Sequence, residues 1–237
     1  MTTTLELLHT NVCADRYDYK HDWASKRRTH WLDEALRIGP DLITLTECQQ
    51  PAADDLAYRL TEAGMKMRAL SYLGSSILYD PDTLVFTREL LGYALLGGSQ
   101  THSLFGVEFG IRVPGYKRFN LLAAHLPPFA TRAALRRRQM STITAKTCKW
   151  QDPTVLAMDA NWSKTLESFV KGQGWQSARL TATDAAHRDY RTSGGKFGAG
   201  NPIDYVIARN RVKFSGYEVI DGRRWSDHNG LLVTVKL

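Results

Sequence analysis

Residues 39–47, Gly39-Pro40-Asp41-Leu42-Ile43-Thr44-Leu45-Thr46-Glu47, join a helix stop, a short apolar run and an acidic residue at its end. Gly-Pro cannot continue a helix, because proline lacks the amide donor and its ring restricts the residue before it. The run Leu42 to Leu45 is too short for a helix of its own and reads as a buried strand. Upstream, Trp31, Leu32, Ala35 and Leu36 recur at helical spacing, and Leu5 to Leu8 reads as another strand that delivers His9, Thr10 and Asn11 to its end. Strand, helix and strand follow one another.

The alternation continues outward. A helix is predicted near Asp54 to Ala63, then short strands at Ser76 to Tyr79, Leu84 to Leu91, Phe105 to Val113 and Phe119 to Ala124. Asp80-Pro81-Asp82 and Pro114-Gly115 are turn signals, and strands at such spacing belong to antiparallel or mixed sheets. A helix from Thr131 to Thr147 follows, then a strand at Thr154 to Met158 and a helix around Ser163 to Lys171. Strands near Ile203 to Ala208, Lys213 to Val219 and Gly230 to Val235 complete the order. The expected fold class is α/β (α+β), a four-layer α/β/β/α sandwich of two packed mixed sheets with helices outside. No repeat, low-complexity segment or composition shift marks a linker, so residues 1–237 are expected to form a single domain.

Hydrophobic residues are 43% and charged residues 23% of the chain, enough for a sizeable core without disulfides. Cys13, Cys48 and Cys148 are odd in number and lack ligand spacing, so neither a disulfide framework nor a zinc ribbon is implied. A reducing, cytoplasmic setting is the expectation. The start, MTTTLELLHTNV, has no basic stretch followed by a long apolar one, and no segment approaches a membrane span, so neither export nor a membrane partner is expected. The net charge of +7 attracts polyanions. Charge alone leaves both nucleic acid and a merely solvated basic surface open.

Acidic and amide residues cluster where apolar strands end, which is where rigid supports can hold an exposed site. Asn11, Glu47, Asp159 with Asn161, and Asp227 with His228 occupy four such ends. Magnesium takes a few carboxylates plus waters and phosphate oxygens, a role that Glu47 and Asp227 fit. Asp159 and Asn161, two apart on an extended segment, point the same way and can hold a water or a phosphate oxygen. His125 follows the strand FNLLAA, and His228 has Asp204 available from PIDYVI; such His-carboxylate pairs suit proton transfer or stabilisation of phosphoryl charge. Taken singly, strand-end Asp, Asn and His commonly cap helices or make turns. It is the set that points to a site.

In order, HTNV (9–12), LTEC (45–48), AAHL (123–126), MDAN (158–161), PIDYVI (202–207) and WSDH (225–228) resemble the ordered motifs of the endonuclease/exonuclease/phosphatase superfamily, which includes deoxyribonuclease I and exonuclease III. The resemblance implies a magnesium-dependent nuclease, with manganese as the alternative ion, that hydrolyses DNA by in-line attack of water. It further implies that Glu47 binds the metal, with Asn11 supporting the metal and phosphate region and Asp227 as a further candidate ligand. Asp159 and Asn161 would orient or activate the water, His125 and His228 contact the scissile phosphate, and Asp204 support His228. Which group removes the proton is left open. The usual Trp-Asn opening is Thr10-Asn11 here, and the Gln before the metal Glu is Thr46. Some members carry an Asp two residues after the Asn; here that position is Cys13, which puts a second metal contact in doubt.

Substrate choice rests on flanking segments. Arg132 and Arg136 lie one helical turn apart directly after a site histidine, and are read as phosphate contacts over a solvated basic face. The Gly-rich loop Ser193 to Asn201 lacks a GK[ST] ending, so triphosphate binding is rejected. A substrate-side loop with Lys196 and Phe197 at its tip and a plain connector both stay open there. Tyr72 is read as core packing. The expected partner is nucleic acid, DNA foremost, bound by a monomer. The competing readings are a phosphatase or phosphodiesterase of the same fold acting on RNA, phospholipid or protein–DNA adducts, and a catalytically dead binding module.

Overall fold

Along β1 (Thr4–Asn11), Leu5 and Leu7 enter one hydrophobic core and Leu8 another. Successive side chains of a strand point to opposite faces, so His9 and Asn11 share the face of Leu5 and Leu7. The same split recurs in every central strand and generates the layers. The computed structural model describes residues 2–14, 26–95, 102–112, 117–128, 132–162, 165–184 and 202–237.

After β1 come α1 (Arg28–Ile38), β2 (Leu42–Thr46), α2 (Gln50–Glu62), β3 (Arg68–Tyr72), β4 (Ser75–Tyr79), β5 (Leu84–Ala94), β6 (Ser103–Ile111) and β7 (Lys117–His125). The second half holds α3 (Ala133–Thr147), β8 (Thr154–Asp159), α4 (Thr165–Lys171), β9 (Gln176–Ser177), α5 (Ala178–Thr181), β10 (Asp204–Arg209), β11 (Lys213–Ile220) and β12 (Gly230–Lys236). The helix stop at Gly39 is a left-handed cap with φ 65°, and its amide donates to Ala35 O at 2.9 Å.

One six-stranded sheet runs β11-β12-β1-β2-β4-β3 and the other β5-β6-β7-β8-β10-β9. Two neighbouring pairs are parallel, β1 with β2 and β7 with β8. A parallel pair needs a crossover, and α1 and α3 supply the two. Leu5, Leu7 and Leu42 from one sheet meet Phe109, Leu121, Val155 and Val206 from the other in the central core. Trp31, Ala35, Leu56 and Leu60 cover the outer face of the first sheet, and Met140, Ile143, Leu166 and Val170 that of the second. The molecule is therefore the expected four-layer sandwich of two mixed sheets with helices outside.

Three short elements escape the sequence reading. β3 is a half-buried edge strand, RALSY, with no clean alternation of apolar and polar residues; β9 and α5 have only two and four residues. The loop 193–201 with Lys196 and Phe197, and Pro114-Gly115, lie outside the described residues.

Candidate functional site

At one end of the central seam the inward face turns from apolar to polar. β1 ends in His9 and Asn11, β2 in Thr44 and Thr46, β7 in His125 and β8 in Asp159, while β10 begins with Asp204. Both parallel pairs release their crossovers here, so their C-terminal ends lie together. Register places His125 beside Asp159 and Asp159 beside Asp204. All of these side chains are at least nine-tenths buried.

Asn11 stands at the centre. Its Nδ2 donates to Glu47 Oε1 at 3.1 Å and to Asp159 Oδ2 at 2.9 Å, linking the two sheets. His125 Nε2 lies 3.5 Å from Asp159 Oδ2 and 3.8 Å from Glu47 Oε1. His228 Nδ1 bonds Asp204 Oδ2 at 2.9 Å, which leaves its Nε2 3.9 Å from Asp159 Oδ2. The side chains of Asn11, Glu47, His125, Asp159, Asp204 and His228 thus form one contact network from six segments of the sequence.

Backbone strain occurs at the same place, which holds three of the six non-glycine residues with positive φ among the described residues. Three non-glycine residues of the site adopt positive φ: Cys13 at 50°, Glu47 at 53° and Asn161 at 46°. Such conformations cost on the order of 1–3 kcal/mol each and persist only where surrounding bonds impose them. Two are imposed by one device. The Cys13 amide donates to Asn11 Oδ1 and the Asn161 amide to Asp159 Oδ1, both at 3.0 Å, so each strand-end side chain bends the chain two residues on. Beyond Glu47, Cys48 is tied to the β3–β4 turn by its amide to Gly74 O and by Ser76 Oγ to its carbonyl. Asn161 Nδ2 is anchored on Leu126 O at 2.9 Å.

Asp227 joins through Cys13, whose Sγ donates to Asp227 Oδ1 at 2.8 Å. Burial, then the nearby Glu47 and Asp227 carboxylates, push the Cys13 thiol well above its ordinary pKa, so it is a neutral donor here. Arg27, buried, donates to Val12 O and Trp225 O and so fastens together the two loops that carry Cys13 and Asp227.

Burial, with the charge of Asp204 adding to it, raises the Asp159 carboxyl against the pull of both histidines. Burial works against ionisation of Asp204 and His228 as well, but their mutual attraction wins. Asp204 is held well below the usual carboxylate range, and His228 is raised to about 10. The pair is an imidazolium and a carboxylate at neutral pH. His102, whose ring is tilted 53° to that of His125 with centroids 4.6 Å apart, is lowered to about 4 by burial and by His125.

The donor set suits a hard divalent ion. One ligand atom each from Glu47, His125 and Asp159 lie within 4.8 Å of one another, as do Asp159, Asp204 and His228, while half-buried Asp227 is tied to the site through Cys13.

Arg132 is half-buried at the start of α3, and Arg136 is buried with its Nη1 donating to Pro127 O at 3.0 Å. Arg137 and Arg138 are exposed. Tyr72 is half-buried against Phe105, with ring centroids 6.5 Å apart. His9 and His102 were assigned no role by sequence reasoning; strand parity would have marked His9 once the inward face of β1 was known.

Neither a family model nor a curated protein matches the sequence. Solved structures do. An endonuclease/exonuclease/phosphatase family protein from Bacteroides thetaiotaomicron superposes with TM-score 0.83 at 13% identity, covering 100% of this chain and 99% of that one. The chain has the endonuclease/exonuclease/phosphatase fold. D. rerio TDP2 complexed with single strand DNA product gives TM-score 0.76 at 15% identity over 98% of this chain and 99% of that one. A mannosyl-6-phosphatase from Bacteroides thetaiotaomicron gives 0.76 at 12% identity, with 98% and 99% covered. Among the described residues, no helix is long and apolar enough to cross a membrane.

Proposed function

We propose that the protein is a magnesium-dependent phosphodiesterase that hydrolyses DNA by in-line attack of water. The observation that carries this reading is the single buried network of Asn11, Glu47, His125, Asp159, Asp204 and His228, drawn from six strand ends in the order the family resemblance implies. Glu47 and Asp227 would hold the ion, with manganese as the alternative. When bound, the ion supplies Lewis-acid charge to a phosphoryl oxygen.

The chain's own groups do the rest. Asp159, desolvated and raised, accepts the proton of the attacking water, and Asn161 orients that water from the strained turn beside it. His228, cationic through Asp204, and His125 donate to the non-bridging oxygens as charge develops there. Arg136 steadies the Pro127 loop behind His125, while Arg132 and Lys196 meet neighbouring phosphates. The net charge of +7 favours a polyanionic substrate over a small sugar phosphate.

Two metal-binding results are expected. At a hundredfold excess over Kd, magnesium adds about 2.7 kcal/mol of stability to the wild type and so raises its melting temperature. In Glu47→Gln that shift is largely lost. In Cys13→Asp, the left-handed backbone accommodates aspartate and a third carboxylate joins Glu47 and Asp227; magnesium binds on the order of tenfold tighter by calorimetry. A thermal shift equal in wild type and Glu47→Gln would place the ion elsewhere.

The reading is tested on bis(p-nitrophenyl) phosphate, supercoiled plasmid and p-nitrophenyl phosphate, each with magnesium and with chelator. Metal-dependent cleavage of the two diesters is expected. Turnover of the monoester alone would move the assignment to a phosphatase.

A further inference from the structure

His9 is fully buried and lies on the inward face of β1, yet the network above makes no use of it. Its Nδ1 sits 2.9 Å from Thr44 Oγ1, on the neighbouring strand at the paired position. Among the described residues its Nε2 has no partner within hydrogen-bond distance, and it lies 3.8 Å from Asp204 Oδ1 in the opposite sheet. The Asp204 carboxylate thus has a histidine on each side: His228 Nδ1 on Oδ2 and His9 Nε2 facing Oδ1.

The tautomer of the neutral ring follows from its neighbours. A carboxylate accepts and cannot donate, whereas a threonine hydroxyl does either. The Thr44 hydroxyl donating to Nδ1 puts the ring proton on Nε2, where it faces Asp204. The other tautomer would turn a bare nitrogen lone pair toward a buried carboxylate, which is repulsive in so dry a setting.

We propose that His9 is a positioning residue for the hydrolytic site, holding Asp204 Oδ1 so that the carboxylate cannot rotate away from His228. This rests on the phosphodiesterase reading. With Oδ2 bonded to His228 and Oδ1 facing the His9 N–H at 3.8 Å, rotation of the carboxylate is disfavoured, and His228 Nε2 stays aimed at the space beside Asp159. The device also couples the sheets, since His9 and Thr44 belong to one and Asp204 to the other. Groups bonded directly to a metal-ligating histidine are commonly worth about 10–100-fold in activity, and a group one contact further away is expected at the lower end.

The experiment uses the full chain and two readouts. Steady-state hydrolysis of bis(p-nitrophenyl) phosphate with magnesium is measured for wild type, His9→Phe, His9→Gln and Thr44→Val, alongside the imidazole Nδ1 proton resonance of His228 by NMR in metal-free protein. In His9→Phe, kcat falls about tenfold with KM little changed, and the His228 resonance shifts or broadens. His9→Gln, whose amide reaches the same place as Nε2, recovers most of both. Thr44→Val moves both in the direction of His9→Phe by a smaller amount, and carries the test if His9→Phe does not fold. Unmoved kcat and resonance in folded His9→Phe would overturn the proposal, as would a loss of kcat that leaves the resonance unchanged and that glutamine does not repair. A wild type without diesterase activity sinks the functional reading instead, and the resonance comparison still decides the positioning role.

Discussion

Asp159→Asn is expected to lower kcat for diester hydrolysis by about 10³-fold while the melting temperature changes by only a few degrees. Asp159 touches Asn11 and both site histidines. It accepts from Asn11 at 2.9 Å, lies 3.5 Å from His125 and 3.9 Å from His228, and is paired in register with both His125 and Asp204. Asparagine fills the same space but cannot take a proton. Two effects on the fold oppose one another: burial and Asp204 disfavour the ionised form and have raised its pKa, whereas the new amide turns its NH2 toward the Asn11 side chain or the Asn161 backbone N–H, both of which donate to the carboxylate. A carboxyl with a raised folded pKa subtracts stability once it ionises, so removing its charge relieves the native state. Each kcal/mol so gained is worth about 2–4 °C in Tm for a chain of this size. A large fall in Tm with unchanged kcat would reverse the assignment, making Asp159 structural.

Asp204→Asn is expected to act in the opposite sense on stability. Removing one partner strands the other charge in the interior, which costs about 3–5 kcal/mol. Tm should drop by roughly 6–20 °C on the same conversion. Activity falls as well, since His228 loses the group that keeps it cationic. The pH dependence has a definite form in metal-free protein. His228 is raised from 6.5 to about 10, so its contribution is complete below about 6.5 and is lost as pH rises through 10. Asp204 is depressed from 3.8, so its contribution is complete above that value and is lost as pH falls through the lower folded one. The stability gap between wild type and Asp204→Asn, measured by urea unfolding, is therefore widest between about pH 4 and 6.5 and closes toward pH 10. A gap that does not change with pH would mean the two side chains share no charge.

The same residues show how much of the protein is legible in its sequence. Strand ends are visible because an apolar run that stops at Glu47 or Asp159 announces both its burial and its exit. The four layers follow from that alternation plus the two helix-bearing crossovers. Edge elements are not visible. β3 buries too little of each side chain to impose a pattern on RALSY, and β9 is too short to have one. The arginine helix was legible as a helix but not as a face: α3 buries Arg136 and Gln139 beside Met140 and Ile143, so polarity does not mark its inner side. His9 and Cys13 depend on pairings across sheets and loops that sequence spacing does not encode. His9 meets Asp204 across 195 positions (204 − 9), and Cys13 meets Asp227 across 214.

The most direct test of the central claim is relaxation of supercoiled plasmid by purified protein in magnesium or in chelator, with Glu47→Gln and Asp159→Asn alongside. Nicking that requires the metal and disappears in both variants, each still folded by thermal melt, is the predicted result. Nicking that survives in chelator or in Asp159→Asn, or a folded wild type that leaves plasmid and bis(p-nitrophenyl) phosphate untouched, would contradict it.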